Sequence, residues 1–101
     1  MGFFSNLFGG GGPKVDLKEV IAKGAVIVDV RTPGEFSGGH AKGAVNIPLD
    51  KLQSNIAKIK GYKKPVIVCC ASGMRSANAK RVLSKNGIEE IYDAGSWVSL
   101  R

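Results

Sequence analysis

Residues 65–76, Pro65-Val66-Ile67-Val68-Cys69-Cys70-Ala71-Ser72-Gly73-Met74-Arg75-Ser76, decide how this chain is read. A short apolar run ends in a cysteine, a turn of small residues follows, and an arginine leads into a stretch with helical spacing. That order is strand, tight loop, helix. It predicts Cys70 at the carboxyl end of a buried strand, in front of a helix N-terminus. Loop N–H groups and the positive end of the helix dipole both favour negative charge there. A thiol so placed is pushed toward thiolate, its nucleophilic form. Partial exposure is expected with it, because a reacting partner has to reach the sulfur. Elsewhere a cysteine is more often a small buried hydrophobe, and Cys69 takes that reading. Successive strand residues face opposite ways, so with Cys70 turned to the loop, Cys69 turns into a covered face.

Outward from this segment, strands and helices alternate. Ala25 to Val30 is an apolar run carrying Asp29 near its end, Ala44 to Ile47 a short second strand, and Glu90 to Tyr92 a last one. Asp16 is placed to cap a short helix with Leu17, Val20 and Ile21 on one face, and Gly24 to close it. Thr32-Pro33 opens a turn or short helix, with proline at an early helical position. Leu49, Leu52, Ile56 and Ile59 recur at offsets 0, 3, 7 and 10, which predicts one amphipathic helix. Ser76 to Asn86 reads as a helix with Ala79, Val82 and Leu83 inward and Gly87 as terminator; Ser76 is the expected cap. The fold class is therefore α/β, a small, mainly parallel sheet with helices on both faces. Functional groups in such sheets gather beyond the carboxyl ends of the strands, which is where Cys70 falls.

The chain has 101 residues, the size of one small domain. The glycine run before Pro13 reads as a flexible lead, so the division is a lead over residues 1–13 and a domain over residues 14–101. Phe3, Phe4, Leu7 and Phe8 in the lead are too short an apolar stretch for a secretory signal or a membrane span. Asn6 stands where a myristoylation signal wants Ser or Thr. The expectation is a cytoplasmic protein with reduced thiols and no stable membrane insertion. Fifteen basic against eight acidic residues give a formal charge of +7. The lysines are scattered, and the densest group, Lys58, Lys60, Lys63 and Lys64, has no interleaved aromatic side chains of the kind a nucleic-acid platform uses. No nucleic-acid partner is expected; a basic surface does attract small anions. One histidine and two adjacent cysteines have neither the count nor the spacing of a zinc site, so no metal is expected.

Cys70-Ala71-Ser72-Gly73-Met74-Arg75-Ser76 resembles the active-site loop of the rhodanese (sulfurtransferase) family, C-x-x-G-x-R-S/T. A second stretch matches independently: Asp29-Val30-Arg31, Glu35-Phe36, Gly39-His40 and Gly43-Ala44-Val45-Asn46-Ile47-Pro48 resemble the family's D-V-R…E-[FY]-x-x-G-H-I-x-G-A-x-N-I-P signature, with Ala41 in place of isoleucine. Asp93-Ala94-Gly95-Ser96-Trp97 resembles its D-G-G-x-x-x-W ending loosely. The resemblance implies a compact α/β fold and sulfur transfer through a persulfide on Cys70, with no cofactor. The implied partners are a small anionic sulfur donor and a thiol or protein sulfur acceptor. Ala71, Ser72, Gly73, Met74, Arg75 and Ser76 would then form the substrate-binding loop. Arg75 would hold an anionic donor or brace the loop, both within reach of its fork of five donors. Asp29, Arg31, Glu35 and His40 would be structural supports, the Asp–Arg pair bracing the floor of the site.

Three other functions are open to such a sequence. Phosphatases and arsenate reductases of the same fold carry C-x-x-x-x-x-R, one residue longer than the Cys70–Arg75 spacing here. A non-catalytic interaction module would typically lack the cysteine. A redox thiol protein would be expected to show C-x-x-C rather than adjacent cysteines.

Overall fold

Strands form at the expected places, β1 (Val26–Asp29), β2 (Val45–Asn46), β3 (Val66–Cys70) and β4 (Ile91–Ser96), the last running on past the expected Tyr92 through Asp93-Ala94-Gly95-Ser96. The computed structural model describes residues 15–101; the lead expected over residues 1–13, with its phenylalanines, lies outside the described residues. Every strand pairing is parallel, and the order across the sheet is β2-β1-β3-β4. A β-bulge at Val68/Cys69 shifts the register against β4, so that Val68 faces Asp93 and Cys69 faces Gly95.

Among the described residues four α-helices accompany them: α1 (Leu17–Ala22), α2 (Pro33–Ser37), α3 (Ile56–Gly61) and α4 (Met74–Lys85). The α1 cap is Asp16, whose carboxylate accepts from the Lys18 N–H at 3.0 Å. A capping box starts α2: the Thr32 hydroxyl accepts from the Glu35 N–H, and the Glu35 carboxylate accepts from the Thr32 N–H.

The two faces of β3 separate the core into two clusters. Val66, Val68 and Cys70 pack with Val28, Val30, Ile59 of α3, and Ala79 and Leu83 of α4. Ile67 and Cys69 face the other way, against Val20 of α1, Ile27 and Ala41, with Tyr92 and Trp97 alongside. Helical elements thus cover both faces, and every β3 residue is buried. Ala41, which stands where the motif has isoleucine, is wholly inside the second cluster.

Several boundaries differ from the sequence expectation, each for a local reason. The helix predicted from Leu49 to Ile59 is α only from Ile56; Leu49–Lys51 and Gln53–Asn55 are 3-10 turns. The Ser54 hydroxyl and the Asn55 amide both donate to the Lys51 carbonyl, at 2.9 and 2.8 Å. Such local side-chain bonds compete with the α ladder. The apolar spacing still works, since Leu52 and Ile59 are buried and Leu49 and Ile56 pack on the same cluster. Ser76 does not cap α4. The helix begins two residues earlier, after Gly73, and the Ser76 hydroxyl donates back to the Gly73 carbonyl at 3.0 Å.

The winding positions the site. From β1 the chain crosses to β2 on one side, then returns to β3 on the other and continues to β4. The reversal lies between β1 and β3, and a crevice opens beyond their carboxyl ends at such a switch point. Those ends carry Asp29-Val30-Arg31 and Cys70. Among the described residues no helix is long and apolar enough to cross a membrane.

Candidate active site

Gly73 shapes the loop around Cys70. It is the N-cap of α4 at φ 107°, ψ −18°, a left-handed conformation that residues with a Cβ reach only under strain. Space is not what selects glycine: a Cβ there would meet nothing closer than the Gly95 Cα at 3.8 Å. The turn aims two backbone donors at the sulfur. Cys70 Sγ accepts from the Gly73 N–H at 3.0 Å and from the Ser76 N–H at 3.3 Å.

Burial pushes the Cys70 thiol up. The Ser76 hydroxyl and the N–H groups of Ser76, Gly73 and Ser72 outweigh that penalty and hold the thiol below its ordinary range. In this geometry the hydroxyl proton goes to the Gly73 carbonyl, which leaves the Gly73 and Ser76 N–H groups as the donors on the sulfur. Cys69, one residue away on the opposite face, is pushed up to about 12, chiefly by burial and then by the Asp29 charge. The expected exposure of Cys70 is not met. Its exposure is 0%: the side chain packs in the same cluster as Val66 and Val68 and the sulfur lies on the loop N–H groups, while Ala71, Ser72 and Met74 are exposed.

Below the loop, Asp29 and Arg31 form a buried ion pair. Arg31 Nε lies 2.9 and 3.0 Å from the two Asp29 oxygens and Nη2 lies 2.7 Å from Oδ2. The remaining guanidinium donors reach the Glu35 carbonyl at 3.3 Å and the Gly39 carbonyl at 2.7 Å. The Trp97 ring lies against the same guanidinium, 4.7 Å from its carbon. His40 stands apart from the sulfur's hydrogen bonds. Its Nδ1 donates to the Phe36 carbonyl at 2.8 Å, and its ring stacks on Phe36 at 3.7 Å.

Two contacts were not legible from spacing. Arg75 does not turn into the loop; it makes two hydrogen bonds with Glu35 of α2, Nη1 to Oε1 at 2.8 Å and Nη2 to Oε2 at 3.0 Å. Arg75, with help from the Thr32 N–H, holds the Glu35 carboxyl at about 2. Asn46 of β2 donates to the carbonyls of Asp29 and Arg31, at 3.0 and 2.9 Å, and so fixes the end of β1. A polar side chain inside a short apolar strand is the signal that marks it.

The arrangement offers a thiol poised toward thiolate, two backbone donors on its sulfur, and arginines already engaged by carboxylates. The model of the family described as "Rhodanese-like domain" matches residues 14–99. The chain is 46% identical over 69 residues to the uncharacterized protein YqhL of Bacillus subtilis, across 68% of this chain and 54% of that one. It is 36% identical over 69 residues to the thiosulfate sulfurtransferase PspE of Escherichia coli, across 67% of this chain and 66% of that one. The chain thus spans about half to two thirds of the length of these curated relatives. A solved rhodanese with anions from E. coli superposes with a TM-score of 0.68 at 35% identity, covering 73% of this chain and 88% of that one. A human single-domain sulfurtransferase superposes with a TM-score of 0.71 at 27% identity, covering 90% and 99%.

Proposed function

The chain belongs to the rhodanese-like domain family, and from that premise we propose that it is a sulfurtransferase using a persulfide on Cys70. The donor is thiosulfate or another carrier of sulfane sulfur; the acceptor is cyanide or a thiol. The observation that carries this reading is the pair of N–H groups, from Gly73 and Ser76, on the Cys70 sulfur.

The Cys70 thiolate attacks the outer sulfur of thiosulfate. A new S–S bond forms at Cys70, the old one breaks, and sulfite leaves with the electron pair. The product is an anionic persulfide, and charge is conserved. Cyanide or an acceptor thiolate then attacks the outer sulfur of that persulfide, and Cys70 departs as thiolate. Both resting and loaded forms are anions, so donors preorganised at the loop stabilise each of them. No separate base is required, because the loop itself favours the thiolate. Because Cys70 is wholly buried, the loop has to move for the donor to reach the sulfur, and Arg75 ties the start of α4 to α2 while it does. Asp29 and Arg31 support the floor, and His40 is a structural residue bonded to the Phe36 carbonyl. Residues 14–101 are the unit that carries the reaction.

Intact mass after incubation with thiosulfate tests the reading. One added sulfur, removed again by cyanide, is expected. Cys70→Ser should abolish the gain, and Cys69→Ala should keep most of it. Equal loss in both variants contradicts a lone nucleophile.

A further inference from the structure

The helix that follows the loop carries charge of one sign. Within α4, Arg75, Lys80, Arg81 and Lys85 are basic and no residue is acidic. A helix face that only meets solvent ordinarily alternates its charges, in pairs three or four residues apart. Burial separates the two sides of α4. Ser76, Ala79 and Leu83 are buried, and Arg75 is taken by Glu35. Met74, Asn78, Arg81 and Lys85 are exposed, and their spacing of four, three and four residues sets them in one line along the outer face. Two small exposed residues, Ala77 and Ser84, flank that line. Among the described residues the ion pairs are Arg31–Asp29 and Arg75–Glu35, so neither Arg81 nor Lys85 has a carboxylate partner. Arg81 is instead held by Asn78, Nη1 to Oδ1 at 2.7 Å. Lys80 lies to the side, where it borders a recess with Tyr92 and Asp93.

The line starts at the reactive loop. Met74, the first residue of α4, is 77% exposed, and the Ser76 N–H two residues on is bonded to the Cys70 sulfur. At 1.5 Å per residue, Arg81 and Lys85 stand about 10 and 16 Å along the axis from Met74. That is beyond the span of thiosulfate or cyanide, so these cations do not serve a small substrate held at the sulfur. A partner laid along the helix reaches both. The exposed side of α4 has no aromatic side chain, which denies a single-stranded nucleic acid its stacking platform. An exposed methionine adapts to apolar contacts of varied shape.

We propose that the outer face of α4 is the docking surface for an acidic protein acceptor of sulfur, with Arg81 and Lys85 pairing its carboxylates and Met74 making the apolar contact at the loop end. This surface belongs to the acceptor half of the sulfurtransferase reaction and rests on that reading. The acceptor thiolate attacks the outer sulfur of the Cys70 persulfide. A new S–S bond forms on the acceptor, the bond to Cys70 breaks, and Cys70 keeps the electron pair as thiolate.

The experiment measures sulfur transfer from the thiosulfate-loaded full chain to three short peptides, each with one cysteine. One carries glutamates roughly three and five positions to either side of the cysteine, which spans about 10 and 16 Å of extended chain; the others carry lysines or glutamines there. In kcat/KM the glutamate peptide should lead the glutamine peptide by about fivefold, the scale of two exposed charge pairs, and the lysine peptide should trail. Salt should erase the lead, since exposed charges are screened beyond about 10 Å at 0.1 M. Arg81→Glu/Lys85→Glu should invert the order of the peptides, while transfer to free cysteine stays within about twofold of wild type. Arg81→Gln/Lys85→Gln should level the three peptides and keep the transfer to cysteine, which separates lost docking from lost folding. Equal rates for the three peptides, or an order unmoved by both double variants, overturn the docking surface. Equal rates together with retention on single-stranded RNA that Arg81→Glu/Lys85→Glu abolishes also overturn it, and assign the face to nucleic acid. If thiosulfate adds no sulfur to Cys70, the sulfurtransferase reading falls and the acceptor face with it, so the two failures are distinct.

Discussion

Glu35 and Arg75, forty residues apart in sequence, meet through two parallel hydrogen bonds of 2.8 and 3.0 Å that tie α2 to the first turn of α4. The pair has a pH signature. The Glu35 carboxyl falls from an ordinary 4.5 to about 2 on folding, mainly because of Arg75 and then the Thr32 N–H. A group depressed in the folded state stabilises above its unfolded pKa and loses that contribution as pH falls through its folded one. The stability difference between wild type and Glu35→Gln should therefore be constant above about pH 5, and should narrow as pH falls from 4.5 toward 2. Thermal melts of both proteins across that range give the answer. A difference that stays flat or grows on acidification would show that the ion pair is not formed in solution.

The two cysteines should be separable by pH. Hydrogen bonds from the loop hold the Cys70 thiol below its usual range against burial, whereas burial takes Cys69 to about 12. Alkylation by iodoacetamide, followed at each residue by mass spectrometry, should show Cys70 reacting with a midpoint below that of a free thiol. Cys69 should stay nearly inert to pH 10. Because Cys70 is wholly buried, its limiting rate should also fall short of a small-molecule thiol of equal pKa. A midpoint at or above the free-thiol value of about 8.5 would mean that the loop does not activate the sulfur.

Gly73→Ala isolates the loop geometry from its packing. The nearest atom to a new Cβ is 3.8 Å away, so nothing clashes, and the cost is that of φ 107° alone. A residue held in such a region costs about 1–3 kcal/mol. If the chain relieves the strain by rotating, the Gly73 N–H leaves the sulfur and sulfur loading slows. Urea denaturation together with the rate of persulfide formation should show both effects. Wild-type stability and rate in the alanine variant would refute the assigned conformation.

How much of this was legible in the sequence follows the range of the interactions. The strands, the Asp16 cap, the short helix opening at Thr32-Pro33 and the opposite facing of Cys69 and Cys70 rest on neighbours within a few residues, and periodicity and residue type report those. Leu49 to Asn55 misled, because the apolar spacing is the same whether the turns are α or 3-10; the Ser54 and Asn55 bonds to Lys51 decide between them. Ser76 looked like a cap by residue type, yet the left-handed Gly73 moved the helix start forward and gave the serine a carbonyl to bond. The Glu35–Arg75 pair and the burial of Cys70 depend on how α2 and the loop come together in three dimensions. Their residues stood in the motifs, but no spacing rule pairs them.

Arg31 offers the sharpest test of the floor. Its guanidinium is nearly inaccessible, and the Asp29 carboxylate beside it is wholly so. A buried pair is a modest net contribution when intact, because desolvation offsets attraction. Breaking it is another matter: Arg31→Met leaves a carboxylate in the interior and strips donors from the Glu35 and Gly39 carbonyls. The expected loss is about 3–5 kcal/mol, a large part of the roughly 5–15 kcal/mol that holds a domain of this size. Arg31→Lys keeps the charge but supplies a point donor in place of a fork, so it should fall between Met and wild type. In Asp29→Asn/Arg31→Met no charge is stranded. That double variant should recover part of the loss but not all, since the Gly39 carbonyl loses the Arg31 donor and the Glu35 carbonyl keeps only the Gly38 N–H. Denaturant midpoints for the three variants and wild type decide it. If Arg31→Met costs under about 1 kcal/mol, the range of an exposed pair, then Asp29 is not held as a buried ion and the floor of the site is built otherwise.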